Sequence, residues 1–249
     1  MAQDQQDPSA EDQSSPPTAA EFDSEFAAAD RSPGLRRVWQ QAAPDLPPEI
    51  QPYSFVSVAL LDHLGDALAL SPGTTLVDLG CGRGGPGLWL AQSRGAALIG
   101  VDFSAVAVQQ ATDRAALFGL TEQARFVVGD LTATGLADGA ADAVVSIDAL
   151  HFAADPTAAT REALRLLRPG GRLVLTNWQA RSPADPQPPR SMRIEPPRVH
   201  RRLWSAPGSV ESGSWILHAT VVGWRVSNSI GLSMPSELWR RWRLWKISR

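Results

Sequence analysis

A chain of 249 residues, 43% hydrophobic and 20% charged, can bury one full α/β core and reads as globular rather than membrane-embedded. A formal net charge of −3 gives no electrostatic basis for nucleic-acid binding, and no apolar run approaches the roughly 18 residues of a membrane span. The single cysteine, Cys81, excludes an internal disulfide and suits a reducing cytoplasm; no basic-then-apolar leader pattern opens the sequence.

Residues 1–30 contain eight acidic and no basic side chains, and residues 1–20 have almost no large apolar groups. Such a segment cannot offset its own ordering entropy, so residues 1–20 are expected to be a solvated acidic tail. Residues 21–70 read as a helical cap. Helical segments over 21–51 are broken by Pro44, Pro47 and Pro48. Over Tyr53–Leu70, Phe55, Val58, Leu61, Leu64 and Leu68 recur at helical spacing until Ser71-Pro72-Gly73 stops them.

From residue 71 to 180 strands and helices alternate. TLVDLG is the first strand, followed by a helix from about Pro86, a residue suited to a first helical turn. ALIGVDFS is the second, with Ser104 as N-cap of a helix through Phe118. ARFVVGDL and DAVVSIDAL are the third and fourth. Asp155-Pro156 opens a helix to Leu167, and the turn Arg168–Gly171 leads into a fifth strand, RLVLTNW. Apolar strands alternating with helices predict an α/β fold whose parallel sheet is covered on both faces.

Beyond Trp178 the pattern decays. Residues 181–249 carry twelve Lys or Arg against four Asp or Glu, and six Trp lie beyond residue 200. SWILHATVVGWRVSN allows two short strands. The terminal LWRRWRLWKISR has no clean amphipathic face, so neither stable membrane insertion nor nucleic-acid binding is expected.

Gly80, Gly82 and Gly85 fit G-x-G-x-x-G, a weak signal alone but one placed here between a strand and a helix. Asp102 ends the second strand, 22 residues after Gly80, where a carboxylate can accept hydrogen bonds from both hydroxyls of a ribose. Ligands of open parallel sheets bind beyond the carboxyl ends of the strands, where all these residues fall. Asp78, two residues before Gly80, would repel a pyrophosphate but attract an ammonium. Asp130, after the third strand, can accept from an adenine amino group beside the apolar Leu131. Three acids at three neighbouring strand ends favour S-adenosylmethionine over a nicotinamide dinucleotide. A glycine turn serving packing alone would leave those acids unexplained. No His/Cys/Asp/Glu cluster has metal-ligand spacing, so no metal is expected.

In order and spacing, VDLGCGRGG, IGVDFS, FVVGDLTATGLADGAADAVVSIDALHF and ALRLLRPGGRLVLTNW resemble the successive motifs of class I S-adenosylmethionine-dependent methyltransferases. The nearest flavour is the small-molecule branch of quinone-type and natural-product enzymes. The resemblance covers about residues 50–180. It implies a Rossmann-like sheet, normally of seven strands with an antiparallel last strand. By position it implies Asp78, Gly80 and Gly82 along the methionyl end of the cofactor. Asp102 then takes the ribose with Phe103 beside the adenine, and Asp130 and Leu131 hold the adenine. Ile147 and Asp148 lie near the sulfonium. It makes Asp142 a structural residue at the start of the fourth strand. Cys81, inside the turn, reads as packing rather than as a nucleophile.

His151, in DALHF, is the candidate base for an acceptor that must lose a proton; a packing histidine at the pocket rim is its other reading. Tyr53 and Phe55 are placed either over the cofactor or in the core, and Asn177 and Trp178 toward the acceptor. The expected activity is methyl transfer to a small molecule. Its rivals are a cofactor-binding protein with an impaired acceptor site and an NAD-dependent oxidoreductase. The chain has no Tyr-x-x-x-Lys pair to support the latter. Its ending departs from the family pattern, which continues with a helix and a glycine-containing bend where this chain turns rich in Pro, Arg, Ser and Trp.

Overall fold

The computed structural model describes residues 16–42, 44–54, 56–180, 215–222 and 229–234. Seven strands form one sheet: β1 (Thr75–Leu79), β2 (Ala97–Asp102), β3 (Ala124–Val128), β4 (Ala141–Ile147), β5 (Leu167–Ala180), β6 (Trp215–Val222) and β7 (Ser229–Met234). Their order is β3-β2-β1-β4-β5-β6-β7. β1 to β5 pair in parallel, as the alternation of strands and helices requires. The sheet is Rossmann-like, and the expected α/β class holds.

Its far edge corrects one expectation. β6 runs antiparallel to both β5 and β7, so the antiparallel strand is the penultimate one and β7 points the same way as β5. Only residues 223–228 separate β6 from β7. A parallel neighbour needs a crossover of about a dozen residues or more, so so short a connection dictates a hairpin. The described residues of SWILHATVVGWRVSN form β6, and β7 starts beyond that segment at Ser229.

Alternate residues of the strands enter two cores. Leu76, Leu98, Val145 and Val174 face α3 (Val58–Ala67), α4 (Gly85–Arg94) and the turn at 115–118 that ends α5 (Ala105–Arg114). Val77, Val101, Val144 and Leu173 face α6 (Pro156–Leu166) through Ala159, Ala163 and Leu166. Each fully buried leucine or valine contributes about 1.5–3 kcal/mol.

The helix starts follow their caps. Ser104 accepts from the Ala107 N–H, and Asp155 from those of Thr157 and Ala158. Ser57 caps α3, which is shorter than the spacing over Tyr53–Leu70 predicts: it starts at Val58, because the serine side chain turns back to the Leu60 N–H. α1 (Ala19–Asp30) starts inside the segment that composition assigns to the tail. A capping box, with Thr18 and Glu21 each bonding the other's backbone, fixes that start. α2 (Pro33–Ala42) follows it. Asp142 has the structural role expected of it: its carboxylate accepts from the Thr75 N–H at 2.8 Å and from Arg168 at 2.5 Å, tying β4 to the start of β1.

Candidate functional site

The glycine turn leaves β1 at Gly80, whose φ is +72°. A Cβ there would also collide with the Ala149 methyl beyond β4, so both conformation and space require glycine. Gly87, in the first turn of α4, makes a close approach of its own: a Cβ would lie 2.5 Å from Asp78 Oδ2. Ser146 donates its hydroxyl to the Leu79 carbonyl at 2.8 Å, stitching β4 to β1 beneath the turn.

Asp78 is 2% exposed. Burial, with the Asp102 carboxylate nearby, pushes its carboxyl up to about 7, and among the described residues no hydrogen bond opposes the rise. Asp102 is also buried, but the backbone holds it. Its Oδ2 accepts from the Gly82 N–H at 2.8 Å and its Oδ1 from the Ser104 N–H at 2.9 Å. These bonds oppose the desolvation that raises it to about 6. The Phe103 N–H is a third backbone donor, so three of the carboxylate's four lone-pair sites are taken and one incoming hydroxyl can still be accepted. Cys81 is buried beside both acids, and burial and their charges push its thiol up, which suits packing rather than nucleophilic attack.

Asp130 is exposed two residues beyond β3, and its Oδ1 accepts from the N–H and hydroxyl of Thr132 at 2.7 and 2.5 Å. The next residue, Leu131, is buried and reaches 3.9 Å from the Cβ position of Gly80. This loop is pinned from behind. Thr134 donates its N–H and hydroxyl to Glu162 of α6 at 2.9 and 2.6 Å, and Arg165 grips both Glu162 oxygens at 2.7 Å.

At the end of β4, Ile147 is buried and Asp148 holds a φ of +53°. The Asp148 N–H donates to Thr176 Oγ1 at 3.1 Å, and the Thr176 hydroxyl reaches Asp148 Oδ1 at 3.2 Å. Left-handed backbone at a non-glycine residue is a cost concentrated at functional sites. His151 lies in the short turn Leu150–Phe152, half-buried, with its ring 4.0 Å from that of Phe152.

The structure thus gathers Asp78, Gly80, Gly82, Asp102, Phe103, Leu131, Ile147, Asp148 and His151 around the carboxyl ends of β1, β2 and β4, with Asp130 at the β3 edge. Asn177 and Trp178 lie in β5 opposite His218 and Leu217; their side chains, and all of Phe55, lie outside the described residues. Among the described residues no group of three or more His, Cys, Asp or Glu is arranged to hold a metal.

Sequence reasoning expected a helical cap over residues 21–70 but missed the contacts by which its first helix covers the site. Phe22 of α1 packs on Phe103 and Phe152, ring centres 5.2 and 5.1 Å away, and Phe26 packs on Tyr53 at 4.9 Å. Asp23 accepts from the Ser104 hydroxyl at 2.5 Å and from the Val106 N–H at 3.1 Å, fastening α1 to the start of α5. The signal was the Thr18-x-x-Glu21 box followed by Phe22 and Phe26, four residues apart and hence on one helix face. Arg83 and Arg114 were also missed. Arg83 pairs with Asp30 at 2.5 Å. Arg114 donates to the carbonyls of Arg83, Glu49 and Ile50.

Residues 77–175 match the family described as methyltransferase domain. The chain is 32% identical over 139 residues to the methyltransferase GfsG of Streptomyces halstedii, covering 56% of this chain and 50% of that one. It is 36% identical over 156 residues to the 2-methyl-6-phytyl-1,4-hydroquinone methyltransferase of Synechocystis, covering 61% and 47%. The chain therefore spans about half the length of these curated relatives. Among solved structures, the [4+2]-cyclase SpnF superposes with a TM-score of 0.54 at 27% identity, covering 70% of this chain and 65% of that one.

Proposed function

We propose that this chain, whose residues 77–175 form a class I S-adenosylmethionine-dependent methyltransferase domain, moves a methyl group from that cofactor to a small-molecule acceptor. The observation that carries the reading is Asp78: a buried carboxylate beside a glycine turn, with no hydrogen-bond donor or cation on it among the described residues. A nicotinamide dinucleotide would bring a pyrophosphate against that acid. S-adenosylmethionine brings an ammonium instead.

The residues fit the cofactor. Asp78 holds the ammonium, Asp102 the ribose, and Gly80 and Gly82 line the methionyl portion. Phe103, Asp130 and Leu131 take the adenine. Ile147 and Asp148 border the sulfonium. When bound, the cofactor supplies a methyl group already activated on sulfur, transferred as the acceptor's lone pair forms the new bond and the sulfonium becomes a thioether.

The chain's own task is therefore alignment and exclusion of water, and much of the rate enhancement comes from proximity. The packed rings of Phe22, Phe103 and Phe152 form a wall from the adenine side toward the acceptor side and displace water from it. His151, beside Phe152, receives the proton of an acceptor that must lose one. Of the relatives named above, one is a methyltransferase for a phytyl hydroquinone, so a quinol acceptor is the first class to try.

The test is calorimetric titration of the full chain with S-adenosylhomocysteine, with NADH and Asp102→Ala as controls. Homocysteine-adduct binding lost in the variant is expected, followed by acceptor-dependent release of S-adenosylhomocysteine in a panel of phenols and quinols. Absence of binding by the folded protein would sink the reading.

A further inference from the structure

The side chain of Arg83, on the glycine turn, is 3% exposed. Its Nη2 is committed, 2.5 Å from Asp30 Oδ1 and 3.2 Å from Gln51 Oε1. Its Nε and Nη1 are buried and find no acceptor among the described residues. Those two nitrogens carry three N–H groups. Buried donors without acceptors are costly, and more so on a charged group.

The surroundings add to the imbalance. Arg114 is close enough for its charge and that of Arg83 to act on each other, and burial with that repulsion lowers Arg114 to about 10. Arg36 also repels Arg83. Among the described residues Asp30 is the one carboxylate that pairs with Arg83. The N-terminus of α4, which begins two residues on, carries no side-chain cap on its N-cap Gly84, so the positive end of the helix dipole adds to the field. Gln51, which touches Arg83, holds a φ of +37° immediately before Pro52, where the proline ring already restricts it.

Asp78 lies against Gly87, in the first turn of the same helix. Among the described residues, one helix start is thus flanked by an acid without a cation and by a guanidinium with unmatched donors. An ammonium and a carboxylate on one carbon have the complementary pattern.

We propose that Arg83 binds the α-carboxylate of the methionyl end of the cofactor, opposite the ammonium held by Asp78. This rests on the cofactor reading above. Nε and Nη1 are the donors it offers, so Asp30 can stay paired to Nη2 while the carboxylate binds. Asp30 then acts as a partial competitor, because it neutralises charge that the ligand would otherwise meet.

The test titrates the full chain with three ligands: S-adenosylhomocysteine, its decarboxylated aminopropyl analogue, and 5′-methylthioadenosine, which lacks the amino-acid end. Wild type should prefer S-adenosylhomocysteine over the decarboxylated analogue by about tenfold to a hundredfold, the range for a charge-assisted hydrogen bond. Arg83→Gln should erase that preference and leave 5′-methylthioadenosine binding unchanged. A preference that survives in the folded variant overturns the proposal, as does a wild type without one. If Arg83→Gln does not fold, Asp30→Asn decides: it should strengthen S-adenosylhomocysteine several-fold and 5′-methylthioadenosine not at all. Equal or absent gains overturn the assignment. Failure of wild type to bind any of the three would instead remove the cofactor reading itself.

Discussion

Phe26 Cζ stands 3.4 Å from the point where a Cβ on Gly82 would lie, so α1 rests directly on the glycine turn. The contact is short because Gly82 has no side chain, and it makes α1 a wall of the site. Phe26→Ala should weaken α1 docking by about 3–5 kcal/mol, the usual range for deleting a buried phenylalanine ring. Amide exchange across residues 19–30 should then accelerate while β1 keeps its protection. Equal acceleration in both would mean that helix and sheet open as one unit.

Asp78 titrates near 7 in the unliganded protein. Below that pH it is neutral and cannot hold an ammonium. Affinity for S-adenosylhomocysteine should therefore rise as pH increases through about 7. Asp78→Asn should bind weakly and lose this dependence. A wild-type affinity flat from about pH 6 to 8 would separate Asp78 from the ammonium.

The same acid sets the pH response of stability. Its folded value lies above its ordinary 3.8, so the folded state holds a proton that the unfolded state gives up. Stability from this group is fully present below about 3.8 and is lost as pH rises to about 7. Asp102, raised to about 6, acts in the same direction. Glu162 acts oppositely: Arg165 and Thr134 hold it down to about 2, so its contribution is present above its ordinary 4.5 and is lost as pH falls toward 2. Glu162→Gln should cost about 1–2 kcal/mol at neutral pH and flatten the acid limb of the curve. Urea titrations across pH check both signs, and an unchanged acid limb would remove Glu162 as the anchor of the Asp130–Thr134 loop.

His151→Ala should lower turnover by about 10²- to 10⁴-fold while leaving S-adenosylhomocysteine affinity unchanged, because a base touches the acceptor and not the donor. A parallel loss of affinity would make His151 a packing residue, and unchanged turnover would remove it from the mechanism.

The five parallel strands were legible because each is a short apolar run bounded by a helix cap or a glycine, and both signals are local. The places of Asp78 and Asp102 were legible for the same reason: both stand at strand ends beside a glycine turn. The direction of β6 was not, since strand direction at an edge depends on connection length rather than on the strand's own residues. Nor was the surface on which the helical cap rests. Phe22 and Phe26 mark an apolar helix face, but which surface it meets is set by contacts more than 50 residues away in sequence, such as Gly82 and Phe103. Arg83 looked like any polar residue in a loop, and only its burial singles it out.

Arg114 holds three carbonyls from two separate segments, those of Glu49 and Ile50 on one side and Arg83 on the other. The stretch at 49–50 is thereby clamped to the glycine turn and moves with it. α1 has no such clamp to α5 beyond the Asp23 bonds to Ser104 and Val106 and the weaker reach of Gln110 to Phe26. α1 is tied to the glycine turn instead through Asp30 on Arg83, and to Tyr53 through Glu25 and Phe26. Two guanidiniums on one turn thus hold both segments that border it, Arg114 the stretch at 49–50 and Arg83 the end of α1.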